Sequence, residues 1–226
     1  MTDTNGQARV LGRGIRVIVP GSWVNIPLKS REAAQKFIKK LVRDQVGTDD
    51  RLASMRRDAV QELLNNVGDA VAVGVHTYLL SLEMLPGVPF PAAMVMVDEE
   101  WPAAAREHRD AGDTGAALRA SFPEGEVAVQ RLGPVAREVE MAEKVLEDGE
   151  QRTESLTMRL SYHVPYPDRS KLLLVRVNVP NVPSAEPFAM LFDEIVDTIT
   201  FLENDGGSAP GEDTAGSSSP VVAQAV

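Results

Sequence analysis

Lys36, Lys39, Lys40 and Arg43 stand at i, i+3, i+4 and i+7, the spacing that gathers four cations on one face of a helix. Phe37 and Leu41 fall opposite them. Such a stripe can dock an acidic protein, an anionic lipid surface or nucleic acid. It is also what the water-facing side of an ordinary surface helix looks like. A second group is Arg159, Ser161 and His163, which alternate at period two and so share one face of a strand. This is the one constellation from which a small-molecule enzyme site could be built. The remaining histidines, His76 and His108, have no second histidine at ligand spacing, and no HExxH or carboxylate cluster accompanies any of the three. Neither a metal nor a cofactor is expected.

Other catalytic signatures are missing. Gly12-Arg13-Gly14 precedes a strand-like run instead of following one, so it cannot set a pyrophosphate on a helix N-terminus. No GxSxG elbow is present. His108-Arg109-Asp110 matches the catalytic-loop tripeptide of protein kinases, but no glycine-rich loop or other kinase signature stands with it. Adjacent acids such as Asp49-Asp50 and Glu99-Glu100 are ordinary loop chemistry. No catalytic residue is assigned.

The elements that must position these groups are readable from periodicity. Ile15–Val19 and Trp23–Ile26 flank Pro20-Gly21-Ser22, which suggests a hairpin. Ser30 can cap a helix that runs to Val46 and stops at Gly47, with Ala34, Phe37, Ile38 and Leu41 inward. A second helix spans about Asp49 to Val67, burying Leu52, Met55, Ala59, Leu63 and Val67. The alternation of Val71, Val73, Val75, Thr77 and Leu79 predicts a long strand over Ala70–Leu85. Strands follow at Ala92–Val97, Val127–Leu132, Val135–Leu146, Thr153–Val164 and Leu172–Val179. The last is apolar on both sides and therefore central. In Thr153–Val164 the dry face is Leu156, Met158, Leu160, Tyr162 and Val164, and the wet face carries Arg159, Ser161 and His163. Glu99–Phe122 is weakly patterned, with one short helix near Thr114–Ala120. Phe188, Leu191, Phe192, Ile195, Ile199 and Leu202 predict a closing amphipathic helix over Pro187–Leu202.

Helices before and after a meander of strands predict an α+β fold: an antiparallel sheet between N-terminal helices and a C-terminal amphipathic helix. The expected organisation is a flexible N-terminus (1–14), one domain (15–203) and a Gly/Ser/Pro-rich disordered tail (204–226). With 226 residues and no cysteine, the fold has no disulfide, thiolate zinc site or cysteine nucleophile to draw on. The net charge of −10 argues against general nucleic-acid binding. It is unevenly spread, because nine basic residues between Lys29 and Arg57 face five acids, counting Asp58 just beyond. The first apolar run, Ile15–Val19, is too short for a signal or membrane segment, so a cytoplasmic protein is expected. The tail closes on Val221-Val222-Ala223-Gln224-Ala225-Val226, a short apolar patch that could serve as a tethered docking peptide.

Two segments carry a resemblance. Val19-Pro20-Gly21-Ser22-Trp23-Val24 running into Ile26-Pro27-Leu28, and Leu191-Phe192-Asp193-Glu194-Ile195-Val196-Asp197-Thr198-Ile199-Thr200-Phe201, are similar to the opening and closing segments of PsbP-like domains, a group that includes LpqN-type actinobacterial lipoproteins. The resemblance implies an antiparallel sheet sandwiched by helices and an accessory or binding role. It supplies no catalytic residues. The secretion signal and lipidated cysteine of LpqN-type members are absent here, so export and anchoring do not transfer. The expectation is a non-catalytic cytoplasmic module that binds another, unidentified protein, with oligomeric state left open. Two alternatives stand beside it: an enzyme site near His163 and Arg159, and peripheral binding of anionic lipid or nucleic acid through the Lys36–Arg43 face.

Overall fold

The computed structural model describes residues 7–148, 151–182 and 184–202. The tail 204–226 and the first six residues, expected to be disordered and flexible, lie outside the described residues. The architecture is α+β, with eleven strands and five helices among the described residues.

The small sheet joins β1 (Gln7–Val10), β2 (Ile15–Val19) and β11 (Thr200–Phe201), all antiparallel. The large sheet runs in the order β3 (Ser22–Asn25), β4 (Thr77–Leu85), β6 (Ala93–Glu99), β10 (Leu172–Pro180), β9 (Gln151–Pro165), β8 (Gly133–Asp148), β7 (Glu126–Gln130), with β5 (Val88–Pro89) paired to β4. The apolar strand β10 is central, as its two-sided hydrophobicity required.

The inner face of the large sheet presents Met94, Met96, Met158, Leu160, Tyr162, Val175 and Val177 to the small sheet and to α5 (Glu186–Asp197). The outer face is covered at the β4–β6 side by α1 (Arg31–Val46) and α2 (Ala53–Ala72), whose Ala34, Ile38, Val42, Val67 and Ala70 form a second core with Tyr78. α1 starts where Ser30 Oγ accepts from Ala33 N–H (3.1 Å) and ends at Gly47 (φ 90°), whose N–H donates to the Arg43 carbonyl (2.9 Å). A third cluster, of Trp101, Ala105, Ala117, Leu118 and Phe122, joins the turn before α3 (Arg106–Asp110) and α4 (Thr114–Ser121) to Ala136 and Leu172 at one end of the same outer face.

Four local expectations are corrected. Ile15–Val19 and Trp23–Ile26 do not pair with each other: β2 belongs to the small sheet and β3 to the large one. The chain changes sheets at Gly21, where φ is +73° and a Cβ would stand 2.1 Å from the Glu83 carbonyl oxygen. Residues 70–72 are the end of α2 and not the start of a strand, because Gly74 (φ 82°) turns the chain and Val75 N–H returns to the Ala70 carbonyl. Small apolar residues alternating over five positions satisfy both periods there. Met55, expected inward, is exposed. Finally, α5 stops at Asp197. Thr198 Oγ1 donates to the Ile195 carbonyl (2.6 Å) and accepts from Ile18 N–H (2.9 Å), which turns the chain at the helix end, and strand begins again only at Thr200–Phe201, paired with β2.

Candidate functional site

Antiparallel register sets the outer face of the large sheet as three cross-strand rows. Ala93, Asn178, Arg159 and Glu140 form the first, Val95, Arg176, Ser161 and Glu138 the second, and Val97, Leu174, His163 and Ala136 the third. Read from β6 to β8, each of the first two rows passes from apolar to charged. α2 covers the β6 side, and α4 with Phe122 covers the end at the third row. Between them the floor of β10, β9 and β8 is open.

Two concavities meet there, and Arg176 lines both. One, of about 390 Å³, lies against α2 and is lined by Asn66, Asp69, Val73, Val95, Val97 and Leu174 among others. The other, of about 500 Å³, is lined by Glu124, Glu138, Glu140, Arg159 and Ser161. Arg159 pairs with Glu140 (3.3 Å). Arg176 is exposed and makes no ion pair or hydrogen bond among the described residues. A permanent cation with no partner among the described residues, at the meeting point of two hollows, is the outstanding feature of this face.

His163 is not a solvent-facing strand histidine. It is 4% exposed, its ring stacks on Phe122 (centroids 3.6 Å apart, planes 18°), and both nitrogens are occupied. Nδ1 lies 3.1 Å from Glu99 Oε2 and Nε2 lies 3.2 Å from Glu138 Oε2. A histidine that exchanges protons with a substrate needs a nitrogen within its reach; this ring spends both on tying β6, β8 and β9 together. Replacing it with asparagine strands one carboxylate and removes the stack on Phe122. His163→Asn is therefore expected to cost about 1–3 kcal/mol in urea unfolding, with the α4 amides losing most hydrogen-exchange protection. A variant of unchanged stability would remove the histidine from this structural role.

The Lys36, Lys39, Lys40 and Arg43 stripe is exposed on α1, on the side away from the sheet. Lys40 lies 3.7 Å from Asp44; Lys36, Lys39 and Arg43 make no ion pair among the described residues. The stripe and the Arg159–His163 pair are on different surfaces, so the six candidates make two groups. Arg176 went unread because β10 looks apolar throughout. Its signal was available: Arg176 and Asn178 are the polar residues of that strand, two apart, and so face one way.

Two other polar sites have structural work. Tyr162 donates to Asp193 Oδ1 (2.9 Å), and Arg137 bridges Asp193 and Glu126, so α5 is tied down onto β9 and β8. Burial first, and then the Asp193 carboxylate, raise the Tyr162 pKa far above the ordinary phenol value, so it remains a donor. A hollow of about 690 Å³ lies between the start of α1 and α2, lined by Leu28, Ala34, Leu64, Val67 and Val71 with Lys29 and Arg31. Its hydroxyl, Ser30, is spent on the helix cap. Among the described residues no group of three or more His, Asp or Glu side chains is placed to hold a metal ion, and no helix is long and apolar enough to cross a membrane. Comparison with protein-family models, curated proteins and solved structures finds no match.

Proposed function

We propose that this chain is a non-catalytic, cytoplasmic binding module that recognises another protein through the open outer face of its large sheet. The observation that carries the reading is Arg176, exposed and unpaired among the described residues where the two concavities meet. Interface arginines of this kind supply much of the binding energy at protein contacts. The engagement of both His163 nitrogens weighs against the enzyme alternative near His163 and Arg159. The similarity of the first and last segments to PsbP-like domains supports an accessory role by analogy.

A second reading rests on the α1 stripe, where three of the four cations make no ion pair among the described residues. It would take an anionic lipid surface or nucleic acid. One experiment separates the two. Immobilised full chain, an Arg159→Glu/Arg176→Glu variant and a Lys39→Glu/Lys40→Glu variant are each exposed to lysate of the source cells, and retained proteins are quantified by mass spectrometry. The expected result is a protein held by the parent and by the stripe variant but reduced about tenfold or more by the sheet variant. Loss through the stripe variant alone would transfer the function to α1, and retention by all three would remove the sheet face from the proposal.

A further inference from the structure

We infer that the partner docks as an amphipathic helix, lying alongside α2 on the open floor of β10, β9 and β8. This rests on the protein-binding reading above and specifies its occupant. A strand would add at a sheet edge, but the free surface here is a face, and the face of a sheet is ordinarily closed by helices. α1 and α2 already begin that layer over β4 and β6. Three strands at about 4.8 Å spacing leave a strip about 10–14 Å wide, the diameter of one helix with its side chains. From Thr157 to Ser161 the floor runs about 13 Å along β9 before Phe122 closes it, room for somewhat more than two helical turns.

The chemistry across the strip selects an amphipathic helix over an apolar one. On the α2 side it would meet Val73, which is 69% exposed, together with Val95, Val97 and Leu174. Over the centre it meets the Arg176 guanidinium, and on the far side Glu124, which makes no ion pair among the described residues, beside the Arg159–Glu140 pair and the Glu138 carboxylate held by His163. The matching helix has apolar residues at i, i+3, i+4 and i+7, an acidic residue beside that stripe for Arg176, and lysine or arginine on the edge facing β8. The side chains of Asn66 on α2 and Asn178 on β10 make no hydrogen bond among the described residues, so their carboxamides can meet polar groups along the same seam.

The test places the photoreactive residue benzoylphenylalanine at Asn178, at Arg159 and, as a control, at Lys39 of the full chain. The cells are irradiated and the cross-linked peptides sequenced. The segment captured at 178 and 159, but not at 39, is then synthesised and titrated against the parent, Val73→Asp and Arg176→Glu. Val73 is exposed at the end of α2, so its substitution leaves the core intact. The expected segment shows the amphipathic spacing, gains helical circular dichroism on binding, and binds each variant about tenfold more weakly. A captured protein segment that binds without gaining helix, or a second copy of this chain held by a strand or loop, overturns the helix while leaving the protein-binding reading in place. A lipid adduct, or no adduct specific to 178 and 159, overturns both.

Discussion

Phe192→Ala is expected to destabilise the protein by about 3–5 kcal/mol, the usual range for removing a fully enclosed aromatic ring. For a chain of this size that corresponds to a loss of about 6–20 °C in Tm. Phe192 is fully buried, lies edge-on to Trp23 at 6.4 Å and stacks against Phe90 at 6.3 Å. It is the residue through which α5 meets both β3 and the segment before β6. The ring cannot be replaced by relaxation from one side, because Trp23 is itself fixed by donation from Nε1 to the Pro20 carbonyl (2.7 Å). Urea unfolding followed by tryptophan fluorescence measures the loss, and Phe192→Leu should recover more than half of it. A cost below about 1 kcal/mol would mean that α5 does not close the inner core.

The second large effect is a response to acid. His76 has 9% of its side chain exposed, and its pKa is lowered from 6.5 to about 4, by burial first and then by the Arg13 charge. Asp98 Oδ1 is 3.4 Å from Nε2 and would favour the charged ring, but that carboxylate is already engaged by Arg13 and by the Tyr166 hydroxyl (2.8 Å). Nδ1 faces Thr77 Oγ1 at 3.0 Å. The unfolded chain therefore binds the proton more readily than the folded one. The stabilisation is complete above pH 6.5 and is lost as the pH falls towards 4, up to about 3 kcal/mol. His76→Gln should flatten that part of the stability curve while leaving the decline due to carboxylates, and superposable curves for the two proteins would refute the assignment.

Much of the scaffold was legible because its elements carry redundant signals. Ser30 and Gly47 bracket α1 with cap chemistry, and β10 announces its central place by being apolar on both faces. The failures came where one pattern serves two structures. Val71, Val73 and Val75 alternate like a strand yet straddle the end of α2, and Ile199 keeps helical spacing with Phe192 and Ile195 while lying beyond the helix. The candidate site was half visible. Arg159 and Ser161 point outward as alternation required, but nothing local to His163 foretells Phe122, 41 residues earlier in the chain, folding across it. Arg176 stands out only when its neighbours on β6 and β9 are known, since its importance lies in having no partner among the described residues.

The small sheet has a consequence for how the protein is made. Ile18 N–H reaches Thr198 Oγ1 across 180 residues of sequence, and β11 pairs with β2 at the far end of the chain. During synthesis the eight-stranded sheet can be assembled while its inner methionines and leucines still lack α5 and β11 to cover them. Folding thus ends on its longest loop closure, a slow step by the rule that distant pairings retard folding. Until then the nascent chain shows the ribosome's surroundings an apolar sheet face, the kind of surface that chaperones hold and that aggregates when they are scarce.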